Sequence, residues 1–227
     1  MDTYGVQLKM SGNKQEELAT AGYTLAIFKA VGTTSAVTEK DSGAALWISK
    51  PDFGPDNPIL WTVNYRGYYS TQSFGEGIEV TGKDNGPLGV GKKLTIEAVG
   101  QSQKLVPGDC KDKTKMEIHN DIGRRFTIGL SQANGTSSGA DIVPICGFDA
   151  IERSYRYFKP IEQIVLLFLT GEQKVGTIFT EASTDGCLAV GAPGDKPTVV
   201  TYNDDGTWSG GDTVGPDDFL TACIQKV

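Results

Sequence analysis

Histidine is almost missing from this sequence: His119 is the only one in 227 residues. A Ser-His-Asp triad has one candidate base, and no G-x-S-x-G turn is present to carry a nucleophilic serine. The four cysteines, Cys110, Cys146, Cys187 and Cys223, are far apart, and none forms a C-x-x-C pair. That spacing excludes the usual structural zinc and thiol-redox motifs, so no metal and no cofactor are expected. Two disulfides in three connectivities remain arithmetically open, and free thiols are the expectation.

Long hydrophobic runs are also lacking. The longest, Ile164 to Leu169, is six residues, against about 20 for a membrane-spanning helix. The first residues show neither a basic nor a long apolar segment, which predicts a cytoplasmic chain, or an exported one if the sequence begins at a mature end. Basic charge is in deficit: 21 Lys and Arg stand against 28 Asp and Glu, a formal net charge of −7. Nonspecific nucleic-acid binding, which needs a basic face to displace counterions, is not expected.

Glycine, by contrast, is plentiful: 29 residues, about 13% against roughly 7% in average usage. It punctuates short runs with a period of two. Ile59, Trp61, Val63 and Tyr65 alternate with polar residues, as do Leu94, Ile96 and Ala98, and Phe126, Ile128 and Leu130. Each reads as a half-buried strand. Ile164 to Leu169 is apolar on both faces and reads as a covered central strand. Turns are expected at Lys83–Pro87, Asn134-Gly135, Thr184–Gly186 and Asp205-Gly206, the last within a hairpin. Gly100 to Lys115 reads as irregular. Helical signals are confined to a short stretch over Gly12–Ala21 and a turn at Pro216–Leu220. The expected fold is all-β with little helix: one domain over residues 1–227, a mainly antiparallel two-sheet β-sandwich, or alternatively a closed β-barrel.

Gly86 to Lys93 matches G-x-x-x-x-G-K, but Lys93 stands where the magnesium-binding Ser or Thr belongs, and a strand rather than a helix follows. It reads as a β-turn. Glu117, His119 and Asp121 form at most a weak acid, base or metal cluster. Asn203, Asp204, Asp205 and Asp212 lack the spacing of a calcium loop. The strand carboxylates Glu76, Glu79, Glu97, Glu117 and Glu181 show no compact pair of the kind a glycosidase uses.

Aromatic residues beside arginine carry the functional expectation. Trp61 and Tyr65 are expected in the core. Of Tyr68 and Tyr69, which point to opposite sides of a strand, one is expected at the surface. Arg153, Tyr155 and Tyr157 are expected on one strand face, with Arg156 beside them. Exposed rings next to guanidinium groups suit stacking on sugars, quaternary ammonium headgroups or a membrane interface. The expected ligand-binding residues are therefore Tyr68, Tyr69, Arg153, Tyr155, Arg156 and Tyr157. They imply a nonenzymatic module that recognises a glycan or lipid headgroup through exposed Tyr or Trp, lectin-like or membrane-binding and toxin-like in character. A self-assembling homo-oligomer and a β-sheet hydrolase are the alternatives.

Overall fold

The computed structural model describes residues 2–34, 38, 40–82, 84–99, 102–137 and 139–227. Just over half of the residues lie in strands and under a tenth in helices. In chain order the strands are β1 Thr3–Lys9, β2 Tyr23–Thr33, β3 Ser42–Lys50, β4 Asp56–Thr62, β5 Arg66–Ser70, β6 Asp84–Pro87, β7 Lys92–Val99, β8 Ser102–Asp109, β9 Met116–Asn120 and β10 Phe126–Ala133. They continue with β11 Ile142–Pro144, β12 Cys146–Ala150, β13 Tyr155–Thr170, β14 Ile178–Phe179, β15 Gly186–Val190, β16 Ala192–Pro193, β17 Thr198–Tyr202, β18 Trp208–Ser209, β19 Asp212–Val214 and β20 Ile224–Lys226. Helix α1 spans Gly12–Thr20, and a 3₁₀ turn at Pro216–Asp218 leads into α2, Phe219–Cys223.

Two sheets form. The smaller has β1 at its centre, with β4 on one side and β16, β17 and β18 on the other. The larger runs β6-β5-β10-β12-β3-β2-β13-β9-β7-β8 and curls into a nearly closed, barrel-like wall. Its two ends meet: the Tyr69 hydroxyl of β5 donates to the Gln103 carbonyl of β8 at 2.6 Å. Leu94 of β7 lies against Gly67 of β5 and Gly86 of β6, where any β-carbon would fall 2.6–3.0 Å from its methyl groups. The pairing is mostly antiparallel, as expected. Three parallel pairs, β1–β17, β2–β20 and β7–β9, were not foreseen.

β13 holds the two layers together. Ile164 to Leu169 are all at most 5% exposed, between β2 on one side and β15 on the other. Covering both faces of a run whose Leu, Ile, Val and Phe side chains each contribute about 1.5–3 kcal/mol when buried makes it the central strand. The stretch expected as one strand over 59–66 divides. β4 ends at Thr62, the chain turns a corner at Val63–Tyr65, and β5 begins in the other sheet. The region expected to be irregular contains β8. Of the expected turn at 83–87, Asp84–Pro87 is the strand β6, and Lys83 lies outside the described residues. Helix α1 does form. Ser11 caps it by accepting a hydrogen bond from the Lys14 amide at 3.1 Å.

The cysteines are all free and buried. Burial pushes the Cys146 thiol up to about 12 and the Cys187 thiol up to about 11, so both are held protonated. No helix among the described residues is long and apolar enough to cross a membrane.

The barrel wall is tight at Gly129. A β-carbon there would fall 2.0 Å from the Cys146 carbonyl oxygen and 2.9 Å from the Tyr68 ring. The Cys146 carbonyl is itself the acceptor of the Tyr68 hydroxyl at 2.7 Å, so it has no free direction to move. Gly129→Ala is therefore expected to destabilise the fold by about 1–3 kcal/mol, as overpacking does. Urea unfolding measures this, and an unchanged midpoint would contradict the packing described.

Candidate functional site

A groove opens at one end of the barrel wall, where four segments converge. Lys40 and Asp41 lead into β3, the turn after β9 leads into β10, β12 ends at Ala150, and β13 starts at Tyr155. The groove measures about 460 Å³ and is lined by Asp41, Arg125, Asp149, Ile151, Tyr155 and Arg156, among others. A second compartment of about 310 Å³ continues past Lys40, Arg125 and Asp149 towards Phe74.

Asn120, the last residue of β9, fixes the two turns that frame the groove. Its side chain is fully buried. Nδ2 donates to the carbonyls of Arg124 at 2.7 Å and Ile151 at 3.1 Å, with Ala150 O further off at 3.4 Å. Oδ1 accepts from the Ile122 amide at 3.3 Å, and the Asn120 amide donates to Ser154 O at 2.7 Å. Arg153 sits in the second turn with φ 52°. A left-handed backbone is uncommon for a residue other than glycine.

The charges in the groove are unequally paired. Arg125 grips Asp149 with two parallel contacts, Nε to Oδ1 at 2.9 Å and Nη2 to Oδ2 at 2.6 Å. Asp41 accepts from the Thr38 and Ser42 hydroxyls at 2.9 and 2.7 Å through Oδ1. Its Oδ2 stands 3.9 Å from Arg156 Nη2, beyond hydrogen-bonding distance. The Arg156 guanidinium lies over the Phe148 ring, 4.6 Å from its centroid, and its side chain is only 12% exposed. Burial lowers its proton affinity and Asp41 opposes that shift, but a guanidinium remains charged.

The structure separates the six residues expected at the site. Tyr68 and Tyr69 are not at the surface: they are 0% and 2% exposed. They do point to opposite sides of β5, but both sides are covered. Tyr69 faces the barrel interior against Phe126, with ring centroids 5.4 Å apart. Tyr68 faces outward and is roofed by Phe74, Val80 and Ile178. No tryptophan is exposed either, since Trp47, Trp61 and Trp208 are all buried, so an exposed indole is ruled out as a contact. Arg153 is exposed but lies in the turn, because β13 starts only at Tyr155. Tyr155 and Tyr157 share a face as expected, with ring centroids 5.2 Å apart. Tyr157 is half-buried beneath Lys115, whose ammonium lies 5.2 Å from its ring centre, and it does not line the groove. Tyr155 and Arg156 do line the groove, Tyr155 being 58% exposed. Asp41, Arg125, Asp149 and Ile151 were missed, because only the strand order brings them beside Arg156.

The other sequence candidates have local roles. Glu117 is buried and accepts from the Cys110 thiol at 3.4 Å. His119 packs edge-on to Tyr155, with centroids 6.4 Å apart. Asp205 closes its hairpin through Thr207, and Asp204 accepts from Ser11 at 2.5 Å. No group of three His, Cys, Asp or Glu among the described residues is placed to hold a metal. Of the five glutamates expected in or near strands, only Glu97 and Glu117 lie in named strands, and none of the five lines the groove.

No protein-family model, no curated protein and no solved structure matches this chain.

Proposed function

We propose that the chain is a nonenzymatic binding module that takes a glycan or a lipid headgroup at the groove between Tyr155 and Arg156. One observation carries this reading. Tyr155 and Ile151, each 58% exposed, stand at the mouth of a groove of mixed polar and apolar lining whose inner wall holds a guanidinium. A large apolar side chain left in water beside convergent polar groups is the ordinary make-up of a recognition site. The ring is held at the first residue of β13 by pairing with His119 of β9, so little ordering is needed on binding. Arg153, Tyr157, Tyr68 and Tyr69 do not line this groove.

The test is a glycan array together with flotation on phospholipid vesicles, using wild type and Tyr155→Ala. An exposed ring that stacks on its ligand contributes about 1 kcal/mol, so the variant is expected to bind roughly fivefold more weakly. Its stability should stay within about 0.5 kcal/mol of wild type, as for most surface substitutions. Equal binding by the two proteins would reject the groove as the contact surface.

A further inference from the structure

We infer that the ligand group seated against Arg156 is a tetrahedral oxyanion, a phosphate or sulfate carried by the glycan or headgroup, with Asp41 as the carboxylate that competes for the same guanidinium. This deepens the proposed function and rests on it. A guanidinium presents five N–H donors in a flat fork, and one that has lost most of its water needs acceptors in their place. Arg156 has lost that water: its side chain is 12% exposed and one face is closed by Phe148. Its guanidinium makes no hydrogen bond to any described residue. The nearest carboxylate oxygen, on Asp41, stops at 3.9 Å. Asp41 cannot easily advance, because its other oxygen is held by two hydroxyls.

Charge points the same way. The side chains along the two compartments carry three positive charges, on Lys40, Arg125 and Arg156, and two negative ones, on Asp41 and Asp149. Arg125 and Asp149 satisfy each other. What remains is one loosely opposed guanidinium and one exposed ammonium facing open space, in a chain of net charge −7. A local positive excess in an acidic protein favours an anion there. The planar fork matches two oxygens of a phosphate or sulfate, and that bidentate pairing is stronger and more directional than a point charge supplies. Tyr155 and Ile151, at the mouth, would then meet the carbon skeleton bearing the anion.

The test is calorimetric titration of wild type, Arg156→Gln and Asp41→Asn with inorganic phosphate. It is joined by flotation on phosphatidylcholine vesicles with and without phosphatidic acid, and by an array holding neutral, phosphorylated and sulfated glycans. Saturable phosphate binding is expected, weakened at least tenfold in Arg156→Gln and strengthened several-fold in Asp41→Asn. The opposite signs separate this from a loss of fold, which would weaken both variants. Binding to phosphatidic acid vesicles assigns the oxyanion to a lipid, and binding only to charged glycans or free phosphate assigns it to a soluble or glycan source. Equal phosphate affinity in wild type and Arg156→Gln would overturn the inference. So would selective binding to neutral glycans that Tyr155→Ala abolishes and Arg156→Gln leaves intact, although the binding-module reading would then stand. Silence of every probe with the wild-type protein would overturn both.

Discussion

Glu162→Leu is expected to lower the unfolding free energy by about 3–5 kcal/mol, the range seen when one partner of a buried ion pair is removed. Glu162 sits in the irregular stretch of β13 between Pro160 and Ile164, where the register with β2 shifts. Its carboxylate accepts from Trp61 Nε1 at 2.7 Å and from the Tyr65 hydroxyl at 2.8 Å, and it lies 3.3 Å from the Lys29 ammonium. Lys29 is fully buried; it also donates to the Ile161 carbonyl and lies over the Trp61 and Tyr65 rings. One carboxylate thus joins β2, β13, the end of β4 and the corner before β5, which is where the small sheet meets the barrel wall. Without it, an ammonium is left in the interior with only carbonyl and ring contacts, and two donors lose their acceptor. Lys29→Met combined with Glu162→Leu removes the stranded charge as well, so the double variant should be more stable than Glu162→Leu alone. Linear extrapolation of urea unfolding for the single and double variants measures both effects. A loss under 1 kcal/mol for Glu162→Leu would mean that the pair does not hold the seam.

The same lysine has a pH signature. Burial pulls Lys29 down to about 8 from its ordinary value near 10.5, while Glu162 pulls it partly back. Between those two values the unfolded chain binds more protons at this site than the native one. Stability therefore rises with pH across that window, and the burden of burying the charge is fully present below it. Relative to Lys29→Met, the wild-type protein should gain about 1 kcal/mol between pH 7 and pH 9. The comparison is made against the variant because buried groups held protonated, such as the Tyr65 hydroxyl and the Cys146 thiol, shift stability in the opposite direction at high pH. A difference that shrinks with rising pH would show that Lys29 is not a desolvated ammonium.

Much of this architecture was legible in the sequence, because period-two alternation is a local property. Ile164 to Leu169, apolar on both faces, is covered on both faces. The hairpin at 203–208 closes with the Asn203 amide donating to Thr207 O at 2.8 Å. The short helical turn expected near the C-terminus forms where Pro216 precedes acidic residues, and it continues into α2. What alternation cannot report is what lies beyond a face. Tyr68 and Tyr69 were correctly placed on opposite sides of a strand, yet the segment from Phe74 to Val80 folds back to roof the outer one, and nothing local announces that roof. The groove was half legible for the same reason. Tyr155 and Arg156 are adjacent in the chain and stood out as an aromatic beside a cation. Their partners Asp41, Arg125 and Asp149 are joined to them by a strand order that skips through the chain, with Asp149 brought beside Asp41 by the pairing of β12 with β3.

That dependence on long-range placement makes Asn120 the residue whose loss should most separate the groove from the fold. Asn120→Ala is expected to destabilise the protein by about 2–4 kcal/mol, the sum of losing two or three side-chain hydrogen bonds and leaving buried carbonyls without a donor. The effect on binding should exceed the effect of instability, because the orphaned carbonyls belong to the two turns that frame the groove, at Arg124 and at Ala150–Ile151. Arg125 and Tyr155 sit one residue beyond those turns, so a loosened tie displaces the Arg125–Asp149 pair and the exposed ring together. A fixed geometry that must be re-formed on binding reduces affinity even when every contact residue is retained. Amide hydrogen exchange under native conditions provides the check. In Asn120→Ala, protection should fall first at Ile122, whose amide the Asn120 side chain accepts, while the Ile164–Leu169 amides of β13 keep theirs. Uniform loss of protection across both regions would instead make Asn120 part of the global core, and the groove would then be no more independent of the barrel than β13 itself.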